Sequence, residues 1–139
     1  MADIAFLSKE ISFRFSGVNK ASIWLQRIAK SEKRKIVSLT YIFCSDSYLS
    51  KLNETYLKQS TLTDILTFDY SEGGPIEAEI FISIPRVREN AKTYSQTFPK
   101  ELRRVMVHGL LHILGHQDKS TAERAAMRAK EEACLSLWS

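Results

Sequence analysis

The sequence predicts an α+β fold: one domain, residues 1–139, in which a small mixed β-sheet packs with helices. A chain of 139 residues has room for one hydrophobic core, since domains usually contain about 100 to 200 residues. Its composition, 44% hydrophobic and 26% charged, is typical of a folded globule. Strand and helix patterns follow one another in mixed order. The length of the chain excludes a two-domain enzyme.

The first third of the chain alternates strand and helix patterns. Residues 4–7 and 11–15 are predicted as short strands, and Ile36–Cys44, which is rich in β-branched and aromatic residues, as a central strand. Between them, residues 19–30 place their apolar side chains on one stripe of a helix. We expect this helix to pack on the sheet.

The middle of the chain predicts a helix followed by a hairpin. Asp46 is a suitable N-cap for a helix through Leu57. Residues 64–70 and 78–84 have the composition of strands, and the turn-forming residues 71–75 separate them. We expect these two strands to pair as a hairpin with a long loop.

Three helices complete the predicted fold. Two helices are predicted over residues 85–97 and 99–113. Each segment begins with a proline, which suits the first turn of a helix. Ser120 and Glu123 form an S-x-x-E capping box before a last helix through Leu137.

The charge of the chain is moderately basic. Its net charge is +4, from 20 Lys and Arg against 16 Asp and Glu. Such a balance attracts polyanions and is a weak indication of nucleic acid. The densest basic cluster is interpreted as a solvated helix end and loop rather than as a dedicated binding patch; it consists of Lys30, Lys33, Arg34 and Lys35.

Several features predict a cytoplasmic protein. Cys44 and Cys134 form no disulfide framework, so we expect two buried free thiols, which suits a reducing compartment. The first residues lack the basic region of a secretory signal. The longest apolar stretch, residues 105–114, is half of the roughly 20 residues that a spanning helix needs. We therefore expect no membrane association.

All three histidines of the chain fall within nine residues, at His108, His112 and His116. Residues i and i+4 are neighbours on one face of a helix, so His108 and His112 can present two imidazoles to one metal ion. Gly115 can take a left-handed conformation that ends the helix and returns a third ligand from the following loop.

The spacing H-x-x-x-H-x-x-G-x-x-D selects Asp118 as the third ligand, because the metzincin pattern H-E-x-x-H-x-x-G-x-x-H has its last ligand there. His116 remains the alternative. Two imidazoles and a carboxylate suit one Zn²⁺ with an open position for water, which is the chemistry of hydrolysis. Gly109 replaces the general-base glutamate of the protease motif, which disfavours a peptidase.

Three blocks of the sequence also resemble a known family. Residues 108–115 (HGLLHILG) are similar to the signature H-G-x-L-H-L-x-G-Y-D-H of the YbeY endoribonucleases, the bacterial rRNA maturation factors. Residues 52–56 (LNETY) with 63–68 (TDILTF) resemble that family's LN-x-x-Y-R and T-D-V-L-S-F stretch, and residues 78–83 (AEIFIS) its G-D-I-x-I-S strand. The likeness extends over residues 36–136.

The resemblance implies a zinc-dependent single-strand endoribonuclease that acts in maturation of small-subunit (16S) ribosomal RNA and in ribosome quality control. Its expected partners are ribosomal RNA, the small ribosomal subunit, and ribosomal or assembly proteins. The family's third histidine aligns with Asp118 and its arginine with Leu57. The phosphate-binding role is then either vacant or passes to Lys58, a point charge in place of a bidentate fork. Glu79 replaces the family's aspartate. Candidate catalytic residues are Lys58 as the cation, with His116 and Glu79 as bases.

A second hypothesis comes from another class of protein. The missing arginine is also consistent with a non-catalytic ribosome-assembly or RNA-binding factor in which the metal is structural. Loss of RNA cleavage with RNA affinity kept, on mutation of Lys58, would favour the enzyme.

Overall fold

A computed structural model describes residues 2–57 and 64–138, of which Tyr56 and Leu57 are described by their backbone alone. The elements within these ranges are β1 (Asp3–Lys9), α1 (Val18–Ser31), β2 (Ile36–Cys44), α2 (Asp46–Leu52), a π-helical turn (Asn53–Leu57), β3 (Ile65–Asp69), β4 (Ile76–Ser83), α3 (Ile84–Thr93), α4 (Phe98–Ile113) and α5 (Thr121–Ser136).

The strands form one mixed sheet in the order β1-β2-β4-β3. Strands β1, β2 and β4 are parallel, whereas β3 and β4 are antiparallel. Strand β2 is an interior strand, with Tyr41 opposite Phe6 of β1 and Ile80 of β4. The α+β class, the central strand and the hairpin are therefore confirmed.

Helices cover the two faces of this sheet unequally. On one face a large apolar cluster joins α1, α4 and α5 to Leu39, Tyr41 and Phe43 of β2 and to alternate residues of β4. On the other face a smaller cluster joins Leu49 of α2 to Ile42, Cys44, Leu66 and Phe81. Because successive strand residues point to opposite faces, the register of β2 and β4 assigns each side chain to one cluster.

The strand predicted at residues 11–15 is wrong. The chain leaves β1 through Glu10, whose φ is +54°, and then follows an irregular path. Phe13 and Phe15 pack edge-on and stacked, respectively, against Phe43. Aromatic packing, rather than pairing with a strand, fixes this segment and explains its strand-like composition.

Two predicted helices differ at their ends. The N-cap of α2 is Ser45, whose hydroxyl accepts a hydrogen bond from the amide of Tyr48 (3.1 Å), and α2 changes at Asn53 to the wider π-helical turn. Helix α3 ends at Thr93 rather than near residue 97. The reason is that Ser95 has a φ of +53° and that the Thr97 hydroxyl caps α4.

Other expectations are confirmed. Ser120 and Glu123 form the predicted capping box of α5, and both cysteines are buried and free. In the two described ranges, no helix has the length and apolar character needed to cross a membrane.

Candidate metal centre

Helix α4 carries His108 and His112, and it is fixed to the sheet beside them. The buried hydroxyl of Tyr41 donates a hydrogen bond to the carbonyl oxygen of Met106 (2.9 Å). At Gly109 a Cβ would lie 2.7 Å from Cδ1 of Ile65 and 3.0 Å from Cγ2 of Ile80. The missing side chain therefore lets α4 approach β3 and β4 closely at the turn that bears the histidines.

The chain reverses after α4 as Gly115 predicts. Gly115 has a φ of +105°, its amide donates to the carbonyl of His112 (3.0 Å), and the amide of His116 donates to the carbonyl of Leu111 (3.0 Å). These two bonds are those of a Schellman motif, which satisfies the last carbonyls of the helix. The reversal returns Asp118 to the face of α4 that bears both histidines.

Three side-chain atoms converge at this place. Nε2 of His112 lies 3.0 Å from Nε2 of His108 and 3.2 Å from Oδ2 of Asp118. Nε2 of His108 lies 3.4 Å from the same carboxylate oxygen. We call His108, His112 and Asp118 the metal cluster, since their geometry could hold one ion.

The spacing and the chemistry of these atoms both fit a small divalent ion. A tetrahedral zinc ion with bonds of about 2.0 to 2.1 Å separates neighbouring ligand atoms by about 3.3 Å. The three observed separations lie on either side of that value. Two imidazole nitrogens and one carboxylate oxygen are typical zinc ligands, and three protein ligands leave a fourth position for water or substrate.

Behind the cluster lies a buried glutamate that sequence reasoning missed. Oε2 of Glu131, on α5, accepts a hydrogen bond from Nδ1 of His108 (2.5 Å). Oε1 of Glu131 accepts another from Arg104 (3.2 Å), and Arg104 also forms an ion pair with Glu101. Glu101 is 1% exposed and Glu131 is 4% exposed. We call Glu101, Arg104 and Glu131 the supporting network.

Hydrogen bonds and charges within the supporting network, and between it and His108, shift the pKa values of these residues. Burial alone would raise the pKa of Glu131, but the hydrogen bond and charge of His108, together with Arg104, lower it. Burial alone would lower the pKa of His108, but the hydrogen bond and charge of Glu131, with the charges of Asp118 and Asp64, raise it. The hydrogen bond to Glu101 is the main reason that the pKa of Arg104 is raised. Glu131 is therefore a carboxylate at neutral pH.

One signal in the sequence points to Glu131. It lies at the inward position of α5 between two buried residues, Met127 and Cys134, at spacings of four and three. A charged residue on the apolar stripe of a helix needs a partner, because an unpaired buried charge is costly.

His116 bonds to a residue outside the metal cluster. Its Nε2 is 2.8 Å from both carboxylate oxygens of Glu32, just beyond the end of α1. Lys130 approaches the same carboxylate at 3.6 Å. The structure thus gives His116 a different partner from the two helical histidines, and the cluster is completed by Asp118.

Glu79, another predicted catalytic residue, is not brought to the cluster. Glu79 lies on β4 between Ala78 and Ile80, which belong to the α4 side of the sheet, so Glu79 is on the opposite face, where Tyr70 donates to it (3.0 Å). Lys58 lies outside the described residues.

Together the fold and the site define a small α+β protein with a candidate metal centre of two histidines and one carboxylate on and after a helix. Residues 4–139 match the family model for endoribonuclease YbeY. The chain belongs to the endoribonuclease YbeY family, as its sequence motifs predict.

Individual relatives support this assignment. The endoribonuclease YbeY of Cytophaga hutchinsonii is 48% identical over 96% of this chain and 94% of its own. That of Flavobacterium psychrophilum is 44% identical over 93% of this chain and 92% of its own. The solution structure of TM1509 from Thermotoga maritima is similar with a TM-score of 0.61 at 27% identity, over 97% of this chain and 91% of that one.

Proposed function

We propose that this protein is a zinc-dependent endoribonuclease that cleaves single-stranded RNA during maturation of small-subunit (16S) ribosomal RNA and in ribosome quality control. One observation carries the proposal: three side chains that could hold a metal ion lie on and just after α4, in a chain that matches the family model for endoribonuclease YbeY. The proposed partners are ribosomal RNA, the small ribosomal subunit and its ribosomal or assembly proteins, in the cytoplasm.

The proposed ligands of one Zn²⁺ are His108, His112 and Asp118. When bound, zinc supplies Lewis-acid chemistry that makes water a nucleophile near neutral pH. The chain itself supplies the geometry, since α4 fixes two ligands one turn apart and the Gly115 reversal fixes the third. A ligand set held before metal binding loses little entropy when the ion arrives.

The phosphodiester also needs a cation, because negative charge accumulates on the phosphate oxygens in the transition state. We assign this role to Lys58, on the basis of the family resemblance. For the proton-accepting role His116 is the better of the two earlier candidates. It lies in the same loop as Asp118, whereas Glu79 lies on the far face of the sheet.

The test is metal content and cleavage of a single-stranded RNA by protein purified without chelator. We expect about one zinc per chain, cleavage that needs it, and loss of both in Asp118→Ala. Lys58→Met should abolish cleavage and keep zinc and RNA affinity. Lys51→Met, which removes an exposed lysine of α2, is the matched control and should cleave normally.

The alternative is a non-catalytic assembly factor with a structural metal, which the leucine at position 57 favours. In that case Lys58→Met lowers RNA affinity alone, and wild-type protein with a full complement of zinc does not cleave RNA. Absence of zinc from the wild type would overturn both metal-based proposals.

A further inference from the structure

We propose that Glu131 is a positioning residue of the metal centre: with Arg104 and Glu101 behind it, it holds His108 in the tautomer and orientation that direct Nε2 at the ion. This inference rests on the proposed metal site and extends it by residues that lie outside the H-x-x-x-H-x-x-G-x-x-D motif.

The first step is the tautomer of His108. A neutral imidazole carries its proton on one nitrogen and a lone pair on the other. Because Nδ1 of His108 donates to the carboxylate of Glu131 at 2.5 Å, the proton of the neutral ring lies on Nδ1. The lone pair is then on Nε2, the atom that lies 3.0 Å from His112 and 3.4 Å from Asp118.

The second step is the rigidity of Glu131. A carboxylate could rotate away from His108, but the other oxygen of Glu131 accepts from Arg104 at 3.2 Å. Arg104 in turn uses Nε and Nη2 on the two oxygens of Glu101, a bidentate pair within α4. Such pairs fix orientation as well as charge. Arg104, itself fixed by Glu101, thus keeps one oxygen of Glu131 on His108.

The third step is charge. Two imidazoles and one aspartate leave a bound Zn²⁺ with net positive charge, which the Glu131 carboxylate partly offsets through His108. A hydrogen bond from a metal-bound histidine to a carboxylate raises the basicity of the ring, and loss of such a partner typically weakens metal binding about 10- to 100-fold. Arg104 pairs with Glu101 as well as with Glu131, so that none of these charges is buried without a partner.

The test compares Glu131→Gln with Glu132→Gln. The control changes the neighbouring exposed glutamate of α5 and removes the same charge. Two quantities are measured without RNA: the zinc dissociation constant, by competition with a chelator, and the tautomer of His108 in metal-free wild type, by nitrogen NMR at a pH high enough that the ring carries a single proton. Neither depends on catalysis, so the result stands apart from cleavage.

We expect Glu131→Gln to raise the zinc dissociation constant about 10- to 100-fold and Glu132→Gln to leave it unchanged. We also expect the neutral His108 of wild type to carry its proton on Nδ1. Equal zinc affinity in the two variants, or a proton on Nε2 in wild type, overturns the proposal. The tautomer measurement needs no variant, so it decides even if Glu131→Gln fails to fold.

The failure of this inference is distinguishable from that of the proposed function. Zinc-loaded wild type that does not cleave RNA overturns the endoribonuclease and leaves the positioning role of Glu131 standing. If the wild type cleaves RNA and Glu131→Gln binds zinc with the same affinity as the wild type, only the positioning role is overturned. A purely structural role for Glu131 would lower the unfolding midpoint without changing zinc affinity, and it too would overturn the proposal.

Discussion

His108 and His116 each bond to a glutamate from another helix or its end, but the two pairs differ in depth and in which nitrogen is used. His108 bonds through Nδ1 to Glu131, whose side chain is 6% exposed, and Nε2 stays directed at the metal cluster. His116 bonds through Nε2 to Glu32, whose side chain is 20% exposed. Helical spacing places His108 beside His112, whereas the reversal at Gly115 turns His116 away. Proximity of histidines in the sequence therefore does not give them the same bonding partners.

The sharpest test of this difference compares a variant that lacks the Asp118 carboxylate with a variant that lacks the His116 imidazole. Asp118→Ala should lose zinc, with an affinity loss larger than the about 100-fold that removal of a ligand's hydrogen-bond partner costs. His116→Ala should keep the zinc content of the wild type. Elemental analysis of both variants, purified in parallel, decides between Asp118 and His116 as the third ligand. Zinc loss in His116→Ala with retention in Asp118→Ala would reverse the assignment.

The close approach of α4 to the sheet at Gly109 predicts that a larger residue there lowers the stability of the fold. In Gly109→Ala the new methyl meets Ile65 and Ile80, and overpacking of this kind costs about 1 to 3 kcal/mol. That cost exceeds the gain of up to about 1 kcal/mol in helix propensity. Urea unfolding should show a lower midpoint, and adding Ile65→Val, which removes Cδ1, should restore part of it. An unchanged midpoint would contradict the packing argument.

Gly115→Ala tests the turn that reverses the chain after α4. No heavy atom from elsewhere in the fold lies within 4 Å of the added Cβ, so the cost comes from the positive φ alone, about 1 to 2 kcal/mol. Zinc affinity should fall together with the unfolding midpoint, since the same turn positions Asp118. Gly74→Ala, at a glycine outside the positive φ region, serves as the control and should change neither.

The smallest effect is expected for the His116–Glu32 pair. A double-mutant cycle with His116→Ala and Glu32→Ala should give a coupling energy of about 0.2 to 1 kcal/mol, the range of solvent-accessible side-chain pairs. Unfolding free energies of the four proteins supply the cycle. A coupling well above this range would mean that His116 is part of a buried network comparable to that of His108.

Local patterns were sufficient for much of the fold and for the proximity of His108, His112 and Asp118. The spacing of His108 and His112, the left-handed Gly115 and the capping box at Ser120 are each properties of a few adjacent residues, and each is found in the structure. Alternation of side chains likewise predicted β2 and the β3–β4 hairpin.

What the sequence did not predict depends on contacts between distant elements. Glu131 meets His108 only because α5 packs on α4, across 23 positions of the chain. The strand-like composition of residues 11–15 reflects packing of Phe13 and Phe15 on the sheet, which composition cannot distinguish from pairing. The position of Glu79 on the face opposite α4 depends on which face of β4 the helix covers, which is a contact between distant elements.

The two thiols offer a separate view of how the fold opens. Cys44 belongs to the small apolar cluster on the α2 side of the sheet, and Cys134 to the large cluster on the α4 side. Burial is the main cause that raises the pKa of Cys44 to about 12 and that of Cys134 to about 11. Since the thiolate is the reactive form, each residue reacts with an alkylating reagent only when its own layer opens. The labelling rates of the two cysteines therefore report on the opening of the two layers, with one natural thiol in each.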